Sequence, residues 1–201
     1  RKSTPSPSQT HRWTPLLLSA VLVLGLALPR PAQAREASFR RVSDYVWFLL
    51  GAGAGLALHE GSHLMFNGML DTRPELRAVS LGPFPFFAIQ PTQIKNNQHR
   101  YVIAMAGFLM QDLYSGVILQ ADPELRAHHR PFLKGMLAFH VALSLGYAIT
   151  GFANIGPAQS DVNTMSRALN TPPWAVGLLL IAPVVTDTYR YFVPHSRWAP
   201  W

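Results

Sequence analysis

Residues 45–66, 101–119, 132–155 and 174–192 are four apolar stretches, each long enough to cross, as a helix, a hydrocarbon layer about 30 Å thick. A chain built around such runs cannot bury all of them in one water-soluble core. Composition agrees, because 49% of the 201 residues are hydrophobic and only 13% are charged, against about 25% charged in ordinary soluble domains. Disorder is excluded as well, since disordered chains keep apolar residues sparse. The expected fold is an all-α membrane protein, a multi-pass bundle of about four transmembrane helices. Tyr45, Trp47, Tyr101, Trp174, Tyr189, Tyr191, Trp198 and Trp201 recur at or beyond the ends of these runs, where amphipathic rings sit at headgroup level. The net charge of +7 is scattered over the same ends. That distribution fits anionic lipid headgroups better than nucleic acid, so the bilayer is the expected partner and no nucleic acid is. With no cysteine in the chain, any metal must take His and carboxylate ligands.

Ahead of the first run, Arg1, Lys2 and Arg12 precede an apolar core over residues 16–28 and a Pro-containing stretch that ends Ala32, Gln33, Ala34. This is the pattern of a signal peptide over residues 1–34, cleaved after Ala34, with residues 35–201 as the membrane-embedded domain. The expected location is a bacterial inner (cytoplasmic) membrane. Signal cleavage puts Arg35 outside and makes the 71–100 and 156–173 loops cytoplasmic, an orientation that runs against the positive-inside tendency. Between the first two runs, residues 81–89 read LGPFPFFAI. Their two prolines forbid a regular helix, and their apolarity argues against a free loop. An extended or re-entrant segment packed on the bundle is expected, because unpaired backbone cannot face lipid.

The first run carries the chemistry. It reads AGAGLALHEGSHLMFN, in which His59, Glu60 and His63 form HExxH. Residues four apart share a helix face, so both imidazoles can point at one metal ion while Glu60 takes a proton from the water it binds. Gly51, Gly55, His59, His63 and Asn67 continue this spacing as a small-then-polar stripe, which is expected to face protein and not lipid. Ionisable groups in a span cost roughly 2.5 kcal/mol or more, so the cluster reads as a functional site.

Two histidines leave a catalytic zinc site one protein ligand short. Asp161, Asp112, His140, Asp187, Glu124 and the pair His128 and His129 are the candidates. Asp161 leads: the first and third runs point the same way, and Gly151, Gly156 and Pro157 break the end of the third so that the chain can turn back. Asp112 and His140 remain alternatives, Asp112 also as a partner orienting a ligand histidine. Asp187 and Arg190 are expected to pair with each other. Asp122, Glu124, Arg126, His128, His129 and Arg130 are expected to form a solvated loop.

These residues resemble the site-2 protease group of membrane-embedded zinc metalloproteases. The resemblance lies in the HExxH of the first run and in Asn154, Pro157 and Asp161 near the end of the third, with LGPFPFF similar to the extended strands which that group places beside its active site. It spans approximately residues 45–165. It implies one zinc per chain held by His59, His63 and Asp161, Glu60 as general base, Asn154 as a substrate contact, and cleavage of a peptide bond in or near a substrate's transmembrane segment. The chain departs from the group's pattern at Ser62, where Gly is usual, and at Asp161-Val162, where Asp-Gly follows a proline spacer one residue longer. Two other functions compete: a zinc hydrolase of a lipid-soluble small molecule, and a non-catalytic protein with a degenerate peptidase fold.

Overall fold

The structure is a computed structural model that describes residues 39–81 and 84–194. The expected signal peptide lies outside the described residues. Within them the chain forms α1 (Val42–Met69), a hairpin of β1 (Pro74–Leu81) and β2 (Phe84–Pro91), then α2 (Asn97–Ala121), α3 (Pro131–Ala153), α4 (Asp161–Leu169) and α5 (Pro173–Phe192). α2 and α3 are long and apolar enough to cross a membrane. α4 and α5 qualify together as a pair bent by 117°. The described residues therefore hold two or three such helices, fewer than the expected four. α1 is the missing one: it has the length, but Asp44, His59, Glu60, His63 and Asn67 dilute its apolarity.

α1 is nonetheless inside-out. Its buried residues are Asp44, Gly51, Gly55, His59, Ser62, His63 and Asn67, whereas Leu49, Leu50, Leu64 and Met65 are exposed by 67%, 52%, 47% and 45%. Water would penalise that arrangement as a large apolar patch, and lipid tails would not. The glycines make the inward face possible. A Cβ on Gly51 would strike the backbone of Phe132, and one on Gly135 the backbone of Phe48, so α1 and α3 approach at backbone distance. α1 packs mainly on α3 and then on α2.

Of residues 81–89, expected as an extended segment, Leu81 ends β1 and 84–89 fall in β2. The rest of β1 falls in a stretch expected to be loop, and the two strands pair antiparallel from Pro74 opposite Pro91 to Leu81 opposite Phe84. Pairing satisfies one edge of each strand. The polar loop between α2 and α3 is not simply solvated. Leu125 is fully buried and packs with Tyr114, Ile118, Leu119, Met136 and Leu137, and His129 Nε2 reaches Asp44 Oδ2 at 3.1 Å. A second apolar cluster joins Ala104, Met105 and Phe108 of α2, Val162 and Met165 of α4, and Val176 and Leu180 of α5. Burying Val162 and Met165, each worth about 1.5–3 kcal/mol, anchors α4 and with it the residue at its start.

Candidate metal centre

His59 and His63 occupy the same face of α1 one turn apart, and both are buried. The break after α3 brings the third group. Asn154 caps α3 in the left-handed conformation, Gly156 has φ of 115°, and Ser160 then caps α4 by accepting from the Asn163 N–H at 3.3 Å. Asp161, the first residue of α4, is thereby turned back toward α1. His59 Nε2 and His63 Nε2 are 3.3 Å apart, and Asp161 Oδ2 stands 3.9 Å from the first and 3.8 Å from the second. Among the described residues this is the one group of three or more His, Cys, Asp or Glu able to hold a metal ion. Donors 2.0–2.2 Å from a tetrahedral ion are about 3.3–3.6 Å from one another, so the three atoms fit one with small adjustments.

The tautomers support the same reading. His63 Nδ1 is 2.7 Å from the Ile103 carbonyl oxygen, an acceptor only, and so must donate. His59 Nδ1 is 3.1 Å from Gln111 Oε1. With both protons on Nδ1, both Nε2 lone pairs face each other and a carboxylate. Three acceptors gathered in a buried site repel unless a cation stands between them. Partners on Nδ1 are what orient metal-binding histidines.

Close packing fixes the rings further. A Cβ on Gly107 of α2 would fall within the His59 imidazole, so only glycine lets that ring lie on the α2 backbone. Phe108 meets the same ring edge-on at 5.2 Å between centroids. Tyr147 of α3 interacts electrostatically with Asp161. Glu60 is half-buried beside the cluster and interacts electrostatically with His63, His59 and Asp161. Gln111, Gly107, Ile103 and Tyr147 had no signal in the sequence, since nothing in their spacing relates them to HExxH.

The alternative third ligands meet elsewhere. His140, fully buried, lies between Asp187 Oδ2 at 3.4 Å from Nε2 and Asp112 Oδ1 at 3.9 Å from Nδ1. The Ser115 hydroxyl donates to Asp187 Oδ2. The expected Asp187–Arg190 pair is present at 3.7 Å, as one edge of this larger polar cluster. Glu124, His128 and His129 belong to the α2–α3 loop, where His128 pairs with Asp122 at 2.7 Å. Asn154 is exposed and is not among the residues lining the cavity beside His63 and Asp161. That cavity, about 290 Å³, is lined by His63, Asp161, Ile89, Ile103, Arg100 and Arg167 among others.

No protein-family model, no curated protein and no solved structure matches the chain.

Proposed function

We propose that this chain is an intramembrane zinc metallopeptidase similar to the site-2 protease group, hydrolysing peptide bonds in or near the transmembrane segments of its substrates. The observation that carries the reading is the approach, within 3.3 to 3.9 Å, of two imidazole Nε2 atoms on α1, a helix whose polar side faces inward, and one carboxylate oxygen of Asp161 at the start of α4, beside Glu60. His59, His63 and Asp161 hold one zinc ion. When bound, zinc supplies a Lewis acid that polarises a carbonyl and brings the pKa of a water toward about 7. The Glu60 carboxylate would accept a proton from a water as its oxygen attacks the scissile carbonyl carbon, and would return that proton to the departing amine nitrogen. Gln111 and the Ile103 carbonyl keep the Nδ1 protons in place so that both Nε2 atoms stay available, and Tyr147 steadies Asp161.

A peptide bond inside a helix is shielded by its own hydrogen bonds, so the substrate must enter extended. It adds as a strand beside residues 81–89, where Ile89 of β2 lines the cavity. Asn154 stays in this reading as a substrate contact outside the cavity. In the same reading α1 crosses the membrane with α2, α3 and α5, completing a four-helix bundle in a bacterial inner membrane.

Detergent-purified protein is expected to carry about one zinc per chain, lost in His59→Ala and in Asp161→Ala and kept in Glu60→Gln. Glu60→Gln is expected to stop cleavage of a membrane-spanning reporter. Cleavage that survives this substitution sinks the mechanism, and zinc retained in Asp161→Ala removes that residue from the ligand set. Glu60-dependent changes in lipid extracts without peptide cleavage would make the enzyme a hydrolase of lipid-soluble molecules. Full biological function of Glu60→Gln would make the protein non-catalytic.

A further inference from the structure

The cavity beside His63 and Asp161 is lined by two arginines, Arg100 from α2 and Arg167 from α4. In the connection between α1 and α2, Arg77 pairs with Glu75 at 3.3 Å and Lys95 with Asp71 at 3.5 Å. Arg100 and Arg167 have no carboxylate within 4.0 Å among the described residues. Their partners are neutral oxygens at the limit of hydrogen bonding, Asn97 Oδ1 at 3.5 Å and Thr164 Oγ1 at 3.4 Å. Ile94, Ile103 and Ala104 supply apolar wall around them. A guanidinium is a rigid fork of donors suited to a carboxylate, and next to apolar surface it gains most by finding one. The negative group on that wall, Asp161, is engaged with the two histidines, and Glu60, beside them but not on the cavity wall, interacts with the same pair. A divalent ion at the histidines would leave the cavity with surplus positive charge.

We infer that Arg100 and Arg167 form an anion-binding subsite of the metal cavity, and that the peptide it takes carries a carboxylate, as an acidic side chain or a free C-terminus, close to the bond that is cut. The inference rests on the peptidase reading for the identity of the bond, and on the cavity alone for the charge. A cavity of about 290 Å³ is roughly 8 Å across if near-spherical, a span that about two extended residues cover. The acidic group therefore belongs within two residues of the cleaved bond. Thr164 and Gln159, also on the wall, can hydrogen-bond the same carboxylate or the adjoining backbone.

The probes are two dansyl-labelled apolar hexapeptides that differ only in Glu or Gln two residues from a central Leu–Ala bond. Their binding to zinc-loaded full-length Glu60→Gln protein is followed by anisotropy in neutral detergent, and their hydrolysis by the unsubstituted protein is followed in parallel. The Glu peptide is expected to bind at least tenfold tighter than the Gln peptide. That advantage is expected to vanish when Arg100→Gln and Arg167→Gln are combined and to return in part in the double Lys variant. Arg167 is exposed and Arg100 half-buried, so both double variants are expected to keep the fold. Equal binding of the two peptides, or a Glu advantage that survives in the double Gln variant, overturns the subsite. So does the result that phosphatidylglycerol nanodiscs bind through these arginines while the Glu advantage is absent in phosphatidylcholine nanodiscs, which would make them a lipid headgroup site. A Glu advantage without any hydrolysis keeps the subsite and removes the peptidase, whereas hydrolysis without a Glu advantage does the reverse.

Discussion

Replacing Gly107 by Ala is expected to dislodge His59 from the candidate metal centre without replacing any of its three ligand residues. The new Cβ would stand inside the His59 imidazole, in contact with Cε1, Nδ1 and Nε2 at once. Restoring ordinary contact at about 3.5 Å requires the ring to retreat by roughly 1 Å. It cannot move freely, because Phe108 faces its edge and Gln111 holds Nδ1. Overpacking of this kind costs about 1–3 kcal/mol, more than the roughly 1 kcal/mol that Ala gains over Gly in helix propensity. Lost orientation of a ligand histidine typically weakens metal binding about 10- to 100-fold, and that is the expected loss of zinc affinity, with hydrolysis falling at least as far. Gly116 is the matched control. It lies on the same helix with nothing within 4 Å of its added Cβ, so Gly116→Ala gains the propensity and meets no ring. Zinc affinity is read by competition with a chromogenic chelator in detergent. Affinity of Gly107→Ala within about twofold of the parent, or equal loss in both variants, would refute the claim that the α2 backbone seats the ring, since ligand misplacement carries the larger effect.

Gln111→Leu leaves the His59 Nδ1 proton without its acceptor, and zinc affinity should fall about 10-fold or more with little change in thermal stability; unchanged zinc competition would remove Gln111 as an orienting partner. Asp187→Leu strands His140 and Arg190 in the neighbouring polar cluster and should destabilise by roughly 3–5 kcal/mol, while zinc stoichiometry in the folded fraction stays at one; loss of zinc at full stability would join that cluster to the metal site. Asp44 accepts from the Arg40 and Arg41 backbone N–H groups at 3.0 and 3.1 Å. The Arg40 bond chiefly holds its carboxyl below the ordinary range, against desolvation and with help from His129. A depressed carboxyl stabilises above its unfolded pKa, so Asp44→Asn should lower Tm at neutral pH. The gap should close as pH drops below about 4 and through the folded value. A Tm gap that stays constant from pH 7 to pH 3 would contradict the assignment.

Much of the candidate site's geometry was legible in the sequence. HExxH sets two donors one helical turn apart whatever surrounds them, and the stripe from Gly51 to Asn67 is buried along its whole length, as its composition of small and polar residues required. Asp161 could be chosen only by assuming that the third run returns to the side where the first run's motif lies. The tally of membrane-spanning helices was less legible: length alone counted residues 45–66 as a span, whereas the polar groups of α1 keep it out of the two or three helices long and apolar enough to cross a membrane among the described residues. β1 was missed for a related reason: a two-stranded hairpin is stabilised by pairing between strands, and residues 74–81 carry little local signal of their own.

The sequence by itself determined the apolar runs, the helical class and the two imidazoles of the candidate site, because hydropathy and a four-residue spacing act over one or two helical turns. Tertiary structure alone decided what surrounds them. Gly107 and Gln111 meet His59 across a helix interface, Tyr147 meets Asp161 from α3, and Arg100 and Arg167 reach one cavity from two elements. These contacts join residues dozens of positions apart, and they depend on how helices cross and where α3 turns into α4. No local pattern encodes that geometry; it arises only when backbones pack at the distances that glycines at positions 51, 107 and 135 permit.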